Sequence, residues 1–71
     1  MSELSSKIKI LRKEAGLTQI EFSKRVGVGL RFIRDLEQGK ASVRLDKVSK
    51  VLVFLGHHLD IVPNYDNTRI S

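Results

Sequence analysis

The sequence predicts an all-α fold of four to five short helices packed compactly, completed by a short C-terminal β-strand that pairs across a homodimer. Three observations carry this. Apolar residues recur at helical spacing in four stretches between Glu3 and Leu55. Each stretch is followed by a glycine, at Gly16, Gly27, Gly39 and Gly56, where a helix can end in the left-handed conformation. After Gly56 the period changes from 3.6 to 2, with Leu59 and Ile61 alternating with polar neighbours over His58–Val62 before Pro63 stops the run.

The first stretch runs from about Glu3 to Ala15 and places Leu4, Ile8, Leu11 and Ala15 on one face, with Lys7, Lys9, Arg12, Lys13 and Glu14 covering the others. The second has a well-specified start. Thr18 followed by Glu21 is a capping box, and Leu17 with Phe22 forms the hydrophobic staple across it. Phe22, Ser23 and Val26 then face inward, the small Ser23 allowing close approach of another helix. The third begins at Gly29, an N-cap without a side-chain acceptor, with Val28 and Ile33 as a second staple and Leu36 continuing the buried face. Two helices separated only by Gly27-Val28-Gly29 must cross steeply, as a helix-turn-helix does. The fourth is expected from Leu45 to Leu55, burying Leu45, Val48, Leu52 and Leu55. Phe54 falls roughly opposite that face, where an aromatic has no role in a monomer.

The terminal strand has no second period-two segment to pair with, so its amides call for another chain, most simply a second copy, the alternative being a frayed tail lying on its own domain. Phe54, Leu59, Asp60, Ile61 and Val62 are therefore the expected dimer interface. Residues 1–62 are expected to form one helix-turn-helix and dimerisation domain, and 63–71 a short flexible tail.

Composition narrows the function. The chain has 71 residues, no cysteine, and 13 Lys and Arg against 8 acidic residues, a net charge of +5. A domain this small sits near the lower limit for folding alone, and without cysteine neither a disulfide nor a thiolate metal site reinforces it. The positive charge favours polyanions. The longest apolar run, Val51–Leu55, is too short to span a bilayer, and the amino end lacks the basic-then-apolar order of a secretory signal. A cytoplasmic protein that uses no cofactor or membrane is expected. Catalysis has no candidate: His57 and His58 are adjacent and diverge on a strand, and neither a zinc motif nor a phosphate-binding glycine loop is present.

What remains is the second helix of the helix-turn-helix, whose leading end enters a DNA major groove in proteins built this way. Gly29, Leu30, Arg31, Arg34 and Asp35 are the base-reading candidates, with Arg31 able to fork onto guanine O6 and N7 and Leu30 able to touch a thymine methyl. Gln19, at the start of the preceding helix, can reach a base edge, brace Arg31 or meet a phosphate. Thr18, Lys40, Ser42 and Arg44 are phosphate candidates that would set affinity and salt dependence. Arg12 and Glu37 are expected to form a structural ion pair. Lys7, Lys9, Lys13, Lys24, Lys47 and Lys50 are read as plain solubilising charge.

From Leu17 to Gly39 the pattern Leu-Thr-Gln-x-Glu-Phe-Ser, Val-Gly-Val, Ile, Leu-Glu-x-Gly resembles the Xre or Cro/repressor family of helix-turn-helix proteins, with Arg12 and Glu37 fitting that family's inter-helix pair. The likeness covers about residues 4 to 56 and implies a lambda-repressor-like domain that binds an inverted-repeat operator in double-stranded DNA. A narrower resemblance, in Arg44-Leu-Asp-Lys-Val, Val-Leu, Leu-Gly and the terminal strand, is to the HipB-type antitoxins. It implies a homodimeric autorepressor that also binds a HipA-like kinase toxin. A stand-alone phage-type repressor and a protein-interaction module that no longer binds DNA are the alternatives.

Overall fold

The computed structural model describes residues 3–40 and 42–63. Four helices follow in order: α1 (Glu3–Glu14), α2 (Gln19–Val26), α3 (Leu30–Glu37) and α4 (Leu45–Phe54). α2 packs on α3, α1 on α3, and α2 on α4. The core lies between them, built from Ile8, Phe22, Val26, Ile33, Leu36, Val48, Val51 and Leu52, with Leu17, Val28, Phe32, Val43 and Leu55 packed at its margin. Both staple pairs thus lie in or against it.

The start of α2 is fixed by the capping box. The Glu21 backbone N–H donates to Thr18 Oγ1 at 3.1 Å, and the Thr18 N–H donates to Glu21 Oε1 at 2.9 Å. Its end is fixed by Gly27, whose φ of +86° lies where a side chain would be strained, and whose N–H returns to the Ser23 carbonyl at 2.9 Å. The Val28 N–H donates to the same carbonyl. The chain therefore turns within three residues, and α3 starts at a set angle to α2. Ser23 is buried, and its hydroxyl donates back to the Ile20 carbonyl at 2.8 Å.

α1 buries only part of the face expected, Ile8 fully and Leu11 by half. Ser5, Ile8 and Arg12 point inward, while Leu4 and Ala15 are exposed and Leu11 is half-buried. The buried side of α1 includes Arg12, whose charge is matched there by Glu37. Leu4 and Leu11 instead line a groove with Leu52 and Leu59, between α1 and the segment that follows α4.

α4 departs at both ends. Val48, Val51 and Leu52 are buried and Leu55 half-buried, but Leu45 is 69% exposed. Phe54 has a place within the single chain after all. Its ring meets the buried Phe22 edge-on, with centroids 5.8 Å apart and planes at 64°, although 41% of the residue stays exposed. The premise that only a second subunit could occupy that aromatic does not hold.

The turn that follows α4 passes through Gly56, with the His57 N–H donating to the Leu52 carbonyl at 2.8 Å. Residues 57–63 then run without regular secondary structure, and no strand forms among the described residues. A strand needs a ladder partner, and none is present among the described residues. Leu59 is half covered by the groove beside α1, whereas Ile61 and Val62 are open to solvent. The expected tail lies, from residue 64 onward, outside the described residues.

Candidate nucleic-acid interface

Arg31, Arg34 and Asp35 recur at helical spacing along the side of α3 that faces away from Ile33 and Leu36. Together with Gln38 and Lys40 they line one shallow concavity. Arg31, Arg34, Gln38 and Lys40 are exposed and Asp35 is half-buried. The concavity therefore presents three cations, one acidic group and one amide, all at the surface. A guanidinium offers a planar fork of donors, and Asp35 offers an acceptor that can orient an arginine or receive a cytosine amine. Gln38 was not singled out from sequence. It lies seven residues after Arg31 and four after Arg34, on the stripe that periodicity had already defined.

Gly29 precedes this stripe as the N-cap of α3, with no side-chain hydrogen bond. A side chain there would meet nothing within 4 Å, so the end of the helix is open to an approaching surface. Leu30 is half-buried, leaving part of its side chain at that end.

Of the roles open to Gln19 (a base edge, a phosphate or bracing Arg31), the contact with Arg31 is not the one its amide makes within the chain. Gln19 Nε2 donates instead to Glu37 Oε1 at 3.2 Å. Glu37 in turn accepts from Arg12 Nε through Oε2 at 2.7 Å and from Arg12 Nη2 through Oε1 at 3.0 Å. Arg12 Nη1 donates to the Leu17 carbonyl at 2.7 Å, one residue before the cap of α2. Arg12 and Glu37 are buried, at 6% and 3% exposure, so this bidentate pair is shielded from water. Thr18 Oγ1 accepts from the Glu21 N–H within the cap, and its hydroxyl also bonds the Glu21 carboxyl, so a phosphate would have to compete with Glu21 for it.

After α3, Lys40 and Ser42 are exposed. Arg44 is exposed too but already engaged. Its Nε and Nη2 donate to Asp46 Oδ1 and Oδ2 at 3.1 and 2.7 Å. That bond from Arg44 is the main reason the Asp46 carboxyl is held below its ordinary value. A phosphate would have to compete with Asp46 for this guanidinium. Lys47 is more than a solubilising charge: its ammonium lies over the ring of Phe32, 5.7 Å from the centroid, joining α4 to the first turn of α3. Among the described residues no group of three His, Asp or Glu side chains could hold a metal ion, and no helix is long and apolar enough to cross a membrane.

Comparison with known proteins points the same way. A family profile described as helix-turn-helix matches residues 8–62. An uncharacterized HTH-type transcriptional regulator of Sinorhizobium fredii is 44% identical over 61 residues, which is 86% of this chain and 80% of that protein. Among solved structures, one described as an MDT protein superposes with a TM-score of 0.73 at 25% identity, covering 84% of each chain. A toxin-antitoxin module from Streptococcus pneumoniae superposes with a TM-score of 0.72 at 38% identity, covering 84% of this chain and 66% of that one.

Proposed function

The chain belongs to the helix-turn-helix family of DNA-binding transcriptional regulators, and on that premise we propose that it is a sequence-specific repressor and the antitoxin of a toxin-antitoxin operon. The observation that carries the DNA reading is the stripe Arg31, Arg34, Asp35 and Gln38, with Lys40, on the exposed side of a helix whose neighbour α2 is capped and pinned. Arg31 and Arg34 read base edges in the major groove, Asp35 orients them or accepts from cytosine, and Leu30 and Gly29 let the helix end approach closely. Thr18, Gln19, Lys40, Ser42 and Arg44 hold the phosphates on either side.

Two further parts of the proposal rest on other support. The antitoxin role is favoured by likeness to a toxin-antitoxin module at 38% identity and by the HipB-like pattern after Arg44, which makes a HipA-like kinase the toxin partner. Homodimerisation is favoured by Ile61 and Val62, 94% and 73% exposed in a segment whose alternation suits a strand. Two copies would supply each other's ladder, with Leu59 and Asp60 in it and Phe54 beside it. The dimer would then span half-sites about one helical turn, ~34–36 Å, apart.

The test is a titration of the duplex upstream of its own gene against random duplex, for wild type and Arg31→Ala. The substitution is expected to cost about 1–3 kcal/mol on the specific duplex and to relax base preference at one position. Equal losses on both duplexes would remove Arg31 from base reading. Purification of the complex from the native operon, with a kinase-like protein retained, tests the antitoxin role; its reproducible absence refutes it.

A further inference from the structure

We propose that Glu37 is a positioning residue for Gln19, so that the buried ion pair sets the contact which the start of α2 makes with DNA. The inference rests on the DNA-binding reading above and adds to it a residue that never reaches the duplex.

Glu37 Oε1 is shared by two donors, Arg12 Nη2 at 3.0 Å and Gln19 Nε2 at 3.2 Å. A carboxylate in such a pair only accepts, so it engages Gln19 through the amide nitrogen and not through the carbonyl. The orientation of the Gln19 amide is thereby fixed. One N–H is committed inward, and the other N–H and Oε1 stay available to whatever approaches the end of α2. Gln19 is half-buried whereas Glu37 is almost fully buried, so the amide spans from the interior to the surface. The same guanidinium also holds the Leu17 carbonyl at 2.7 Å, next to the cap residue Thr18. Backbone and side chain at the start of α2 are thus tied to one pair that reaches across from α1 and α3.

The functional consequence is preorganisation. A free glutamine side chain surrenders rotamer freedom when it binds, and a buried partner that already holds it removes that loss from the binding step. Glu37 therefore contributes to DNA affinity through Gln19, beyond what it contributes to folding.

Binding of the duplex upstream of its own gene is measured by fluorescence anisotropy for wild type, Gln19→Ala, Glu37→Asp and the double variant. Circular dichroism fixes a temperature at which all four are folded. The aspartate keeps a charge for Arg12 but withdraws its oxygens by one methylene. Each single variant is expected to bind about 5- to 10-fold more weakly, the equivalent of one hydrogen bond. The double variant is expected to bind no more weakly than Gln19→Ala alone. Losses that multiply in the double variant would show Glu37 acting on stability only and would overturn the proposal, leaving the DNA reading intact. If wild type binds no duplex, both readings fall. A measurement on wild type alone needs no variant to fold: in proton–nitrogen spectra the Gln19 side-chain amide should lie away from free-glutamine positions and exchange slowly. Free-glutamine positions would overturn the proposal directly.

Discussion

Replacing Arg12 by methionine should come close to unfolding this protein, and replacing Arg12 and Glu37 together should not. Four hydrogen bonds meet in the network: two from Arg12 to Glu37, one from Arg12 to the Leu17 carbonyl, and one from Gln19 to Glu37. With Arg12 gone, a carboxylate with 3% exposure keeps Gln19 alone, and the carbonyl before α2 loses its donor. Breaking a buried pair in this way costs about 3–5 kcal/mol, because the surviving charge stays desolvated. A domain of 71 residues has roughly 4–11 kcal/mol of stability in total. With a urea dependence of about 1 kcal/mol per molar, the midpoint should fall by about 3–5 M. The double variant Arg12→Met with Glu37→Leu has no stranded charge, and its stability should return to within ~1 kcal/mol of wild type or exceed it. Urea titration followed by circular dichroism at 222 nm decides the matter. A single-variant loss below ~1 kcal/mol would mean that water reaches the pair. A double variant as damaged as the single would mean that the bonds themselves, and not the unpaired charge, hold the helices together.

Other expectations concern the cap and the dimer. The bond from the Thr18 N–H, and next the Thr18 hydroxyl, hold the Glu21 carboxyl below its ordinary value of 4.5. A carboxyl with a lowered folded-state value lends stability that is complete above its unfolded value and is lost as pH falls through the folded one. Wild-type melting temperature should therefore begin to decline below about pH 4.5 from this cause, and Glu21→Gln should decline less over the same window. Parallel curves would show that the cap contributes nothing to acid sensitivity. Ile61→Glu should leave the melting of a dilute sample unchanged, since Ile61 is 94% exposed within the chain, while abolishing self-association in sedimentation velocity. A wild-type chain that sediments as a monomer at high micromolar concentration would refute the shared sheet.

Much of the fold could be read because its signals are local. The capping box at Thr18 and Glu21, the two staples, and the glycine ends all act within a turn of helix, so residue type and spacing decide them. The exposed stripe on α3 was equally legible, since its residues recur at helical spacing, and the same spacing already contained Gln38. What could not be read were matters of rotation and partnership. The pair of Arg12 with Glu37 was legible, but not how deeply it is buried: periodicity gave α1 an apolar face through Leu4 and Ala15, whereas Ser5, Ile8 and Arg12 are the residues buried. Leu45 satisfied the spacing of a core position and still lies outside, because where a helix begins relative to its neighbours is not encoded in period. Phe54 lay outside the expected stripe of α4 yet meets Phe22, one step round the helix from Val51.

The sequence by itself determined where helices start and stop, which pair of them is joined too closely to do anything but cross, and which residues the second of that pair leaves on its outer side. These follow from hydrogen bonds and steric limits within a few residues. Tertiary structure decided how each helix is rotated, that Lys47 leans on Phe32, and that Gln19 is held by Glu37 and not by Arg31. Such contacts join residues from different elements. Whether a charge or an amide is stable in the interior depends on the partner that packing delivers, and packing is a property of the assembled core.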